Sequence, residues 1–322
     1  MNKNTFFTIA IPAFKSKFLG EAIDSCLSQT YGNFEVVIVD DASPEDLKSV
    51  VDGYHDDRIR FYRNEKNCGA VDVVDNWNIC LSYAKGDYII CMGDDDRLLP
   101  CCLEEYLKLM EKYPGLGVYH AWTEIIDEES VMFDLQQPRP EWESALSVAW
   151  NRWNGRTRQF IGDFCYEVKR LRKDGGFFKL PMAWGSDDIC AVRAAVGGGI
   201  ANTQRVCFQY RVNRYTISKT GANEEKFKAT LKEREWYRQL FAECDSIFAR
   251  LSETEKKYLH CLKSDLPRIF TKKFKSELVH DMEHNPLRIF FWIRRKQELE
   301  LSMGRILYYC LVAIKNMMKK DK

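Results

Sequence analysis

Three consecutive carboxylates, Asp94, Asp95 and Asp96, follow the apolar run at residues 88–92 and a single glycine. Adjacent carboxylates repel one another, so ionising all three is costly unless water, protons or a cation offset the charge. A hard divalent ion such as Mg²⁺ or Mn²⁺ does this by binding one or two carboxylates together with phosphate oxygens. A solvated acidic turn is the alternative for an isolated triplet, and the position after an apolar strand favours the metal and phosphate chemistry.

The segments that must position these carboxylates alternate between strand-like and helix-like patterns. Short β-branched and aromatic runs predict strands at residues 6–11, 34–39, 58–63 and 88–92. Apolar residues at helical spacing predict crossover helices at residues 18–29 and 71–84. A further helix is predicted to begin between Ser43 and Pro44, with Ser43 as its cap and Asp46 as the capping-box partner. The pattern indicates an α/β fold with a mostly parallel, doubly wound sheet and helices on both faces.

Polar loops follow all four predicted strands, at residues 12–15, 40–43, 64–69 and 93–96. Ligands of open α/β sheets bind outside the carboxyl ends of the strands, so we expect these loops to line one edge. Asp41 could accept a hydrogen bond from a base or ribose, although Asp40 and Asp41 alone are also typical of a turn leading into the Ser43 cap. A phosphorylated receiver domain has acidic strand ends too, but it would be much shorter.

The second half of the chain becomes increasingly helical. After Pro100 the pattern predicts a helix to about Tyr113 and strands at residues 116–122 and 124–133, while residues 136–160 show no clean period and are left unassigned. From Asn223 onward the pattern is strongly helical, with Pro267 and Pro286 as predicted breaks. We therefore predict a catalytic domain at residues 1–222 and a C-terminal helical region at residues 223–322.

Composition narrows the classes of partner and compartment. The 48 basic and 47 acidic residues give a net charge of +1, so no chain-wide field would attract nucleic acid. The twelve cysteines lie in apolar runs without a C-x-x-C pair, which predicts free thiols in a reducing cytoplasm and no structural zinc. The sequence shows no signal-peptide pattern and no apolar run of spanning length.

The C-terminal segment from Pro286 to Lys322 carries nine basic and three acidic side chains. Its apolar residues Ile306, Leu307, Cys310, Leu311, Ile314 and Met318 fall on one side of a helix. Such a helix suits the surface of an anionic membrane, and packing of the same side against the catalytic domain is an equal alternative.

The motifs resemble those of family 2 glycosyltransferases, a large inverting family with the GT-A fold. The resemblance runs through residues 22–31, 34–43, 67–69 and 84–89, and resumes at Asp94–Asp96 with Pro100, at residues 175–177, at Asp187 with Arg193, and at Tyr210 and Arg211 with Ser218. It covers roughly residues 5–218 and leaves the helical tail unmatched. It implies a nucleotide-diphosphate sugar as donor and Mg²⁺ or Mn²⁺ as cofactor.

The resemblance also implies roles for individual residues. The backbone of Pro12, Ala13 and Phe14, together with Asp41, would hold uracil or another base and the ribose, and Asn67 and Gly69 would belong to the same nucleotide site. Gly93 stands where the family usually has the first acidic residue of its Asp-x-Asp-Asp motif. In that register Asp95 is the direct metal ligand, Asp94 a ribose or water-mediated partner, and Asp96 a helper at the metal.

An inverting transfer needs a base that removes the proton from the acceptor hydroxyl. Residues 183–188 open a helix reaching Arg193, as does the Glu-Asp motif that supplies this base in the family. Asp187 has the family's spacing to Arg193, Ser186 replaces the usual glutamate, and Asp188 adds a second carboxylate, so both aspartates are candidates. A plain helix N-terminus is the alternative, since the helix dipole favours acidic residues there.

The segment 210–218 resembles the family's closing Tyr-Arg-x-His motif, with Asn213 where histidine is common. Arg211 or Arg214 could pair with the diphosphate, because guanidinium matches phosphate oxygens. An edge strand with solvated arginines is the alternative.

The resemblance implies transfer of a sugar, with UDP-sugar as the expected donor, to a hydroxyl of a growing glycan or lipid-linked sugar in bacterial surface-polysaccharide assembly. A sugar-nucleotide pyrophosphorylase would need a glycine-rich phosphate loop where this chain has Pro12-Ala13-Phe14-Lys15. A catalytically silent nucleotide- or glycan-binding protein is the other alternative, motivated by Gly93, Ser186 and Asn213.

Overall fold

The computed structural model describes residues 4–213 and 223–320. The chain divides into two units. The first comprises Met1–Lys179 and Ser186–Thr216, and the second comprises Leu180–Gly185 and Ile217–Lys322. The predicted boundary near Ala222 lies outside the described residues.

The described part of the first unit contains one sheet of ten strands. In chain order they are β1 Phe7–Ala13, β2 Phe34–Asp40, β3 Ile59–Arg63, β4 Tyr88–Cys91, β5 Arg97–Leu98, β6 Val118–Ile126, β7 Met132–Leu135, β8 Trp142–Glu143, β9 Phe164–Glu167 and β10 Ile200–Arg211. The spatial order is β3-β2-β1-β4-β9-β6-β10-β5, with β7 paired to β6 and β8 to β10. The mixed α/β class with a mostly parallel sheet, predicted from sequence, is confirmed.

Strand direction determines which loops meet. Strands β1, β2, β3 and β4 pair in parallel, with Ala13 beside Asp40 and Asp40 beside Arg63. Strand β9 is antiparallel to both β4 and β6, and β10 is parallel to β6. Strands β4, β6 and β10 therefore point the same way. The loops after β1, β2, β3, β4, β6 and β10 consequently share one edge of the sheet.

Burial explains why these residues form strands and helices. Every side chain of β2 is buried, which is the pattern of a parallel strand covered on both faces. The helices of this unit are α1 Leu19–Leu27, α2 Leu47–Asp52, α3 Val73–Tyr83, α4 Cys102–Lys112, α5 Ala145–Trp153, α6 Val168–Lys173 and α7 Ser186–Ala195. Helix α1 buries Leu19, Ala22, Ile23 and Cys26, the residues that its helical spacing selects. All twelve cysteines are free, as predicted.

Two sequence-based predictions about local structure in the first unit need correction, and one unassigned stretch contains a helix. Helix α2 begins at Leu47 with Asp46 as its cap, because Ser49 donates its N–H to Asp46 while the Ser43 hydroxyl donates to the Phe14 carbonyl. Strand β6 continues through Thr123, and the break predicted there is wrong, since pairing with β9 and β10 holds both halves. Helix α5 lies in the stretch of residues 136–160, which the sequence pattern left unassigned.

The second unit is helical. It contains α8 Asn223–Ser246, α9 Glu253–His284, α10 Ile289–Arg294, α11 Lys296–Leu299 and α12 Met303–Lys320. The break predicted at Pro267 is wrong, because α9 continues through it with Leu266, Ile269 and Phe270 buried around it, and tertiary packing outweighs the local cost of proline. Helix α9 does end before Pro286. Within the described residues, no helix combines the length and apolar character needed to cross a bilayer.

Candidate functional site

The loop after β4 places Asp94 against the loop after β1. The Asp94 carboxylate accepts hydrogen bonds from the backbone N–H groups of Phe14 (2.6 Å) and Lys15 (2.7 Å). Burial and the neighbouring Asp95 nevertheless raise the pKa of Asp94 to about 6. Asp94 therefore connects the two loops, and its hydrogen bonds fix the backbone next to Pro12 and Ala13.

Asp95 and Asp96 differ in what they contact. Asp96 is buried and accepts hydrogen bonds from the N–H groups of Arg211 (2.9 Å) and Gly93 (3.3 Å), so it supports the loop from below. Asp95 is partly exposed and accepts a hydrogen bond from the Asn213 side chain. Burial raises the pKa of both carboxyl groups, and the charge of Asp95 raises that of Asp96 further. The predicted roles of both residues as metal ligands stay predictions.

Gly93 leaves room for these carboxylates. A Cβ atom at this position would lie 2.8 Å from an oxygen of Asp95 and 3.1 Å from an oxygen of Asp96. Contacts that close require something to move. A side chain at position 93 would therefore have to displace the carboxylates. The glycine that stands in place of the family's first aspartate leaves the space in which Asp95 and Asp96 lie.

Arg211 lies beneath the loop with a fully buried side chain. Its guanidinium donates to the carbonyl oxygens of Asp95 (2.8 Å) and Asp127 (3.0 Å), to the Ser130 hydroxyl (2.9 Å), and to Glu21 (2.8 Å). These contacts support the acidic loop. Pairing of Arg211 with a diphosphate stays a prediction, and it would require the guanidinium to leave these partners. Arg214 and Ser218 lie outside the described residues.

Asp41 organises the loops after β2 and β3. Its carboxylate accepts hydrogen bonds from the Asn64 side chain (2.8 Å) and from the N–H of Cys68 (3.0 Å), and its own N–H donates to the Ala13 carbonyl (2.9 Å). These bonds hold the loop of Asn67 and Gly69 beside that of Pro12 and Phe14. The Phe14 ring is exposed at this edge, where it could stack on a base.

Asp187 and Asp188 open helix α7 in different surroundings. Asp188 is buried, pairs with Arg152 Nε (2.7 Å) and accepts a hydrogen bond from the Gln159 side chain (2.7 Å). Asp187 is partly exposed and accepts a hydrogen bond from the N–H of Asp188 (2.9 Å). Burial, followed by the charge of Asp188, raises the pKa of Asp187 to about 8, and Arg152 opposes this shift. A carboxylate with this pKa suits proton abstraction near neutral pH.

Tyr210 lies on β10 next to Arg211, whose N–H donates to Asp96. Burial raises the pKa of its phenol above the ordinary value, and the negative charges of Asp96, Asp95 and Asp187 raise it further. Gln159, which donates to Asp188, directly precedes the aromatic residue that packs on Tyr210. The Phe160 ring stacks on Tyr210 with ring centroids 3.6 Å apart. The sequence analysis missed Phe160 because residues 136–160 show no period, and no other signal in this stretch points to the contact.

The backbone just before Asp187 belongs to the second unit and is unusual. Met182, Ala183 and Gly185 have φ angles of 59°, 53° and 90°, a region that residues with a side chain rarely adopt. Lys226 Nζ lies 4.5 Å from the centroid of the Trp184 ring, within this same unit.

The surroundings of Asp95 suit a divalent ion that is bound partly by phosphate oxygens and water, rather than one enclosed by protein ligands alone. Among residues 4–213 and 223–320, no group of three or more His, Cys, Asp or Glu side chains could hold a metal ion. Asp95 is nevertheless a partly exposed carboxylate beside a second one, and a cation would favour its ionised form. Mg²⁺ is commonly bound by one or two carboxylates together with phosphate oxygens and water, and this arrangement fits that chemistry.

Comparison with known proteins assigns the family. The description Glycosyl transferase family 2 matches residues 8–174, more than half of the 322 residues. The chain belongs to this family. It is 36% identical over 110 residues to WcaA of Escherichia coli (strain K12), whose name places it in colanic acid biosynthesis, covering 33% of this chain and 38% of that protein. The chain spans about two fifths of the length of the curated relatives it matches.

Solved structures confirm the GT-A fold that the resemblance implied. TarS from S. aureus in complex with UDP-GlcNAc superposes with a TM-score of 0.61 at 14% identity, covering 91% of this chain and 88% of that chain. The mannosyltransferase PcManGT from Pyrobaculum calidifontis in complex with GDP-Man and Mn²⁺ superposes with a TM-score of 0.51 at 18% identity, covering 98% and 88%. At these identities the likeness shows the fold alone.

Proposed function

We propose that this chain is an inverting glycosyltransferase that moves a sugar from a nucleotide-diphosphate donor to an acceptor hydroxyl. The observation that carries this proposal is a chain of contacts between two acidic groups. Gln159 donates to Asp188 at the start of α7, its neighbour Phe160 stacks on Tyr210, and Arg211, the next residue of β10, donates its N–H to Asp96 after β4. A diphosphate leaving group and an acceptor proton must be handled on opposite sides of one anomeric carbon. Two acidic groups joined by these contacts supply both functions.

The donor is held at the edge formed by β1, β2 and β3. We propose that Phe14 stacks on the base, and that Asp41 and the loop of Asn67 and Gly69 surround the base. Asp94 accepts a hydrogen bond from a ribose hydroxyl. Of the two solved neighbours, one carries UDP-GlcNAc and the other GDP-Man with Mn²⁺. These occupants support a nucleotide sugar and a divalent metal for this chain, and we propose a UDP-sugar as the donor.

Mg²⁺ or Mn²⁺ at Asp95 would stabilise the negative charge of the departing diphosphate. Residues of this chain position Asp95 and accept the proton of the acceptor. Asn213 and Arg211 hold Asp95 in place through its side chain and its carbonyl oxygen, respectively. Asp187 accepts the proton of the acceptor hydroxyl as that oxygen attacks the anomeric carbon, and the carbon's bond to the diphosphate oxygen breaks on the opposite side.

We propose a growing glycan or lipid-linked sugar of bacterial surface-polysaccharide assembly as the acceptor, which places the reaction in the cytoplasm beside the inner face of the plasma membrane. The name of the relative WcaA, which refers to colanic acid biosynthesis, supports this setting. Tyr210 and Phe160 stack on each other and are both partly exposed, and we propose that this pair contacts a sugar ring, because aromatic rings pack against apolar sugar faces.

Calorimetry with uridine diphosphate and Mn²⁺, followed by a donor-sugar screen for transfer and hydrolysis, tests the proposal. We expect Mn²⁺-dependent binding that Asp95→Asn weakens at least tenfold and that Asp187→Asn leaves intact. Binding without turnover for any donor would favour a catalytically silent protein. Absence of binding with and without manganese would refute the assignment of the nucleotide site.

A further inference from the structure

The C-terminal helix α12 has two apolar sides, and only one of them packs against the protein. Ile306, Tyr309, Cys310 and Ala313 are buried within the second unit. The sequence analysis placed Ile306, Leu307, Cys310 and Leu311 on a single side. The structure separates them, since Ile306 is 0% exposed whereas Leu311 is 66% exposed. Packing of the helix therefore leaves a second group of its apolar residues exposed to water.

This second group forms a continuous stripe. Its members are Met303, Leu307, Leu311, Ile314 and Met318, all exposed. Their spacing of four, four, three and four residues keeps them on one side of a helix with 3.6 residues per turn. A row of five large apolar side chains in water is unfavourable, and exposed apolar surfaces of this kind mark interaction sites.

The charges of α12 indicate what the stripe contacts. Between Met303 and Lys320 the helix contains the basic residues Arg305, Lys315, Lys319 and Lys320 and no aspartate or glutamate. Helical geometry places Lys315 and Lys319 next to the stripe, on the side away from the buried residues. A second copy of this helix would bring positive charges against positive charges. An anionic surface would instead attract these lysines while the stripe leaves water.

We propose that α12 docks this chain on the surface of an anionic lipid bilayer. The stripe inserts at the boundary between headgroups and acyl chains, Lys315 and Lys319 contact the anionic headgroups, and the buried side keeps the helix attached to its own unit. This geometry is that of a helix lying in the plane of the interface. It agrees with the absence, within the described residues, of a helix that could cross a bilayer. The inference is independent of the proposed transfer reaction, since docking involves no nucleotide.

Sedimentation of the full chain with vesicles tests the proposal. The vesicles are either phosphatidylcholine alone or phosphatidylcholine with about 30% phosphatidylglycerol, where both apolar contact and charge are available. We expect binding to the anionic vesicles only, a loss of at least tenfold with Leu307→Ser/Leu311→Ser, and a smaller loss with Lys315→Gln/Lys319→Gln that high salt reproduces. A matched control, Val131→Ser/Phe133→Ser, changes two exposed apolar residues of the first unit and should bind like the unaltered chain.

Two measurements keep the test decisive. Thermal unfolding must show that each variant folds, which we expect because the substituted side chains are exposed. Light scattering without lipid reports the oligomeric state. Equal sedimentation of the stripe variant and the unaltered chain would overturn the proposal, as would a dimer that Leu307→Ser/Leu311→Ser abolishes, because the stripe would then bind a second copy.

Discussion

Replacing Asp187 with asparagine should stabilise the protein and abolish transfer, a combination that a purely structural residue would not produce. Burial raises the pKa of Asp187 to about 8, against an ordinary value of 3.8. Between these two pH values the unfolded chain has lost the proton and the folded protein retains it. The stability associated with the proton on Asp187 is therefore fully present below about pH 4 and is lost as the pH rises towards 8.

The magnitude follows from the size of the shift. One pKa unit corresponds to about 1.4 kcal/mol, so a difference of about three units at pH 7 sets an upper bound of about 4 kcal/mol. Asp187 is partly exposed, and screening by water reduces this to about 1–2 kcal/mol. Asparagine does not titrate. Asp187→Asn should therefore raise Tm by a few degrees at pH 8 and by almost nothing at pH 4, as measured by thermal unfolding across that range.

Asp188→Asn is the matched control, because it makes the same chemical change one residue away. Asp188 pairs with Arg152 and accepts a hydrogen bond from Gln159. Because Asp188 is buried and Arg152 is 34% exposed, breaking this ion pair should lower stability by about 1–3 kcal/mol. For activity, loss of a general base should reduce transfer roughly 10²–10⁴-fold with donor binding retained. The reasoning is refuted if Asp187→Asn lowers Tm at pH 8, or if Asp188→Asn alone stops transfer while Asp187→Asn does not.

Further measurements probe the surroundings of the two acidic groups. The rate of transfer should rise with pH to a plateau above about pH 8. Arg152→Gln should move the midpoint of this profile to higher pH, because Arg152 lowers the pKa of Asp187. An unchanged midpoint would exclude Asp187 as the titrating base. Asp96→Ala should lower the free energy of unfolding by about 1–3 kcal/mol, measured by urea denaturation, because the buried N–H of Arg211 and the partly buried N–H of Gly93 lose their acceptor. Gly93→Ala should weaken Mn²⁺-dependent donor binding in calorimetry, since the new Cβ displaces the carboxylate of Asp95, and unchanged binding would show that this loop adjusts freely.

The parallel half of the sheet could be predicted from sequence because its signals are local. Each of the first four strands is a short apolar run bounded by polar loops, and the rule that ligands bind beyond the carboxyl ends of strands then selects residues 12–15, 40–43 and 93–96. The start of α2 was misplaced because Ser43 and Asp46 are both good caps, and the sequence does not show that the Ser43 hydroxyl is already used by Phe14. Competition between adjacent caps is decided by tertiary contacts.

The surroundings of the proposed catalytic base could not be predicted, because they are formed by segments that are far apart in the sequence. Arg152 and Gln159 contact Asp188 from a stretch without a detectable period, and Phe160 stacks on Tyr210 across 50 residues. Sequence identified Asp187 and Asp188 as alternatives of equal chemistry. They differ in the structure because Asp188 forms an ion pair with Arg152, whereas no ion pair of Asp187 is found within residues 4–213 and 223–320, and that difference depends on packing between α5 and α7.

The three departures from the family pattern bear on whether the protein is an enzyme or a silent relative. Gly93 removes a carboxylate but leaves the space that Asp95 occupies, with 2.8 Å between its oxygen and the position of a Cβ. Asn213 replaces histidine and donates its hydrogen bond to that same carboxylate. Ser186 is fully buried, so a glutamate there would place a charge away from water next to Asp187. Two of the departures thus act together on Asp95, and the third avoids a further negative charge beside the proposed base.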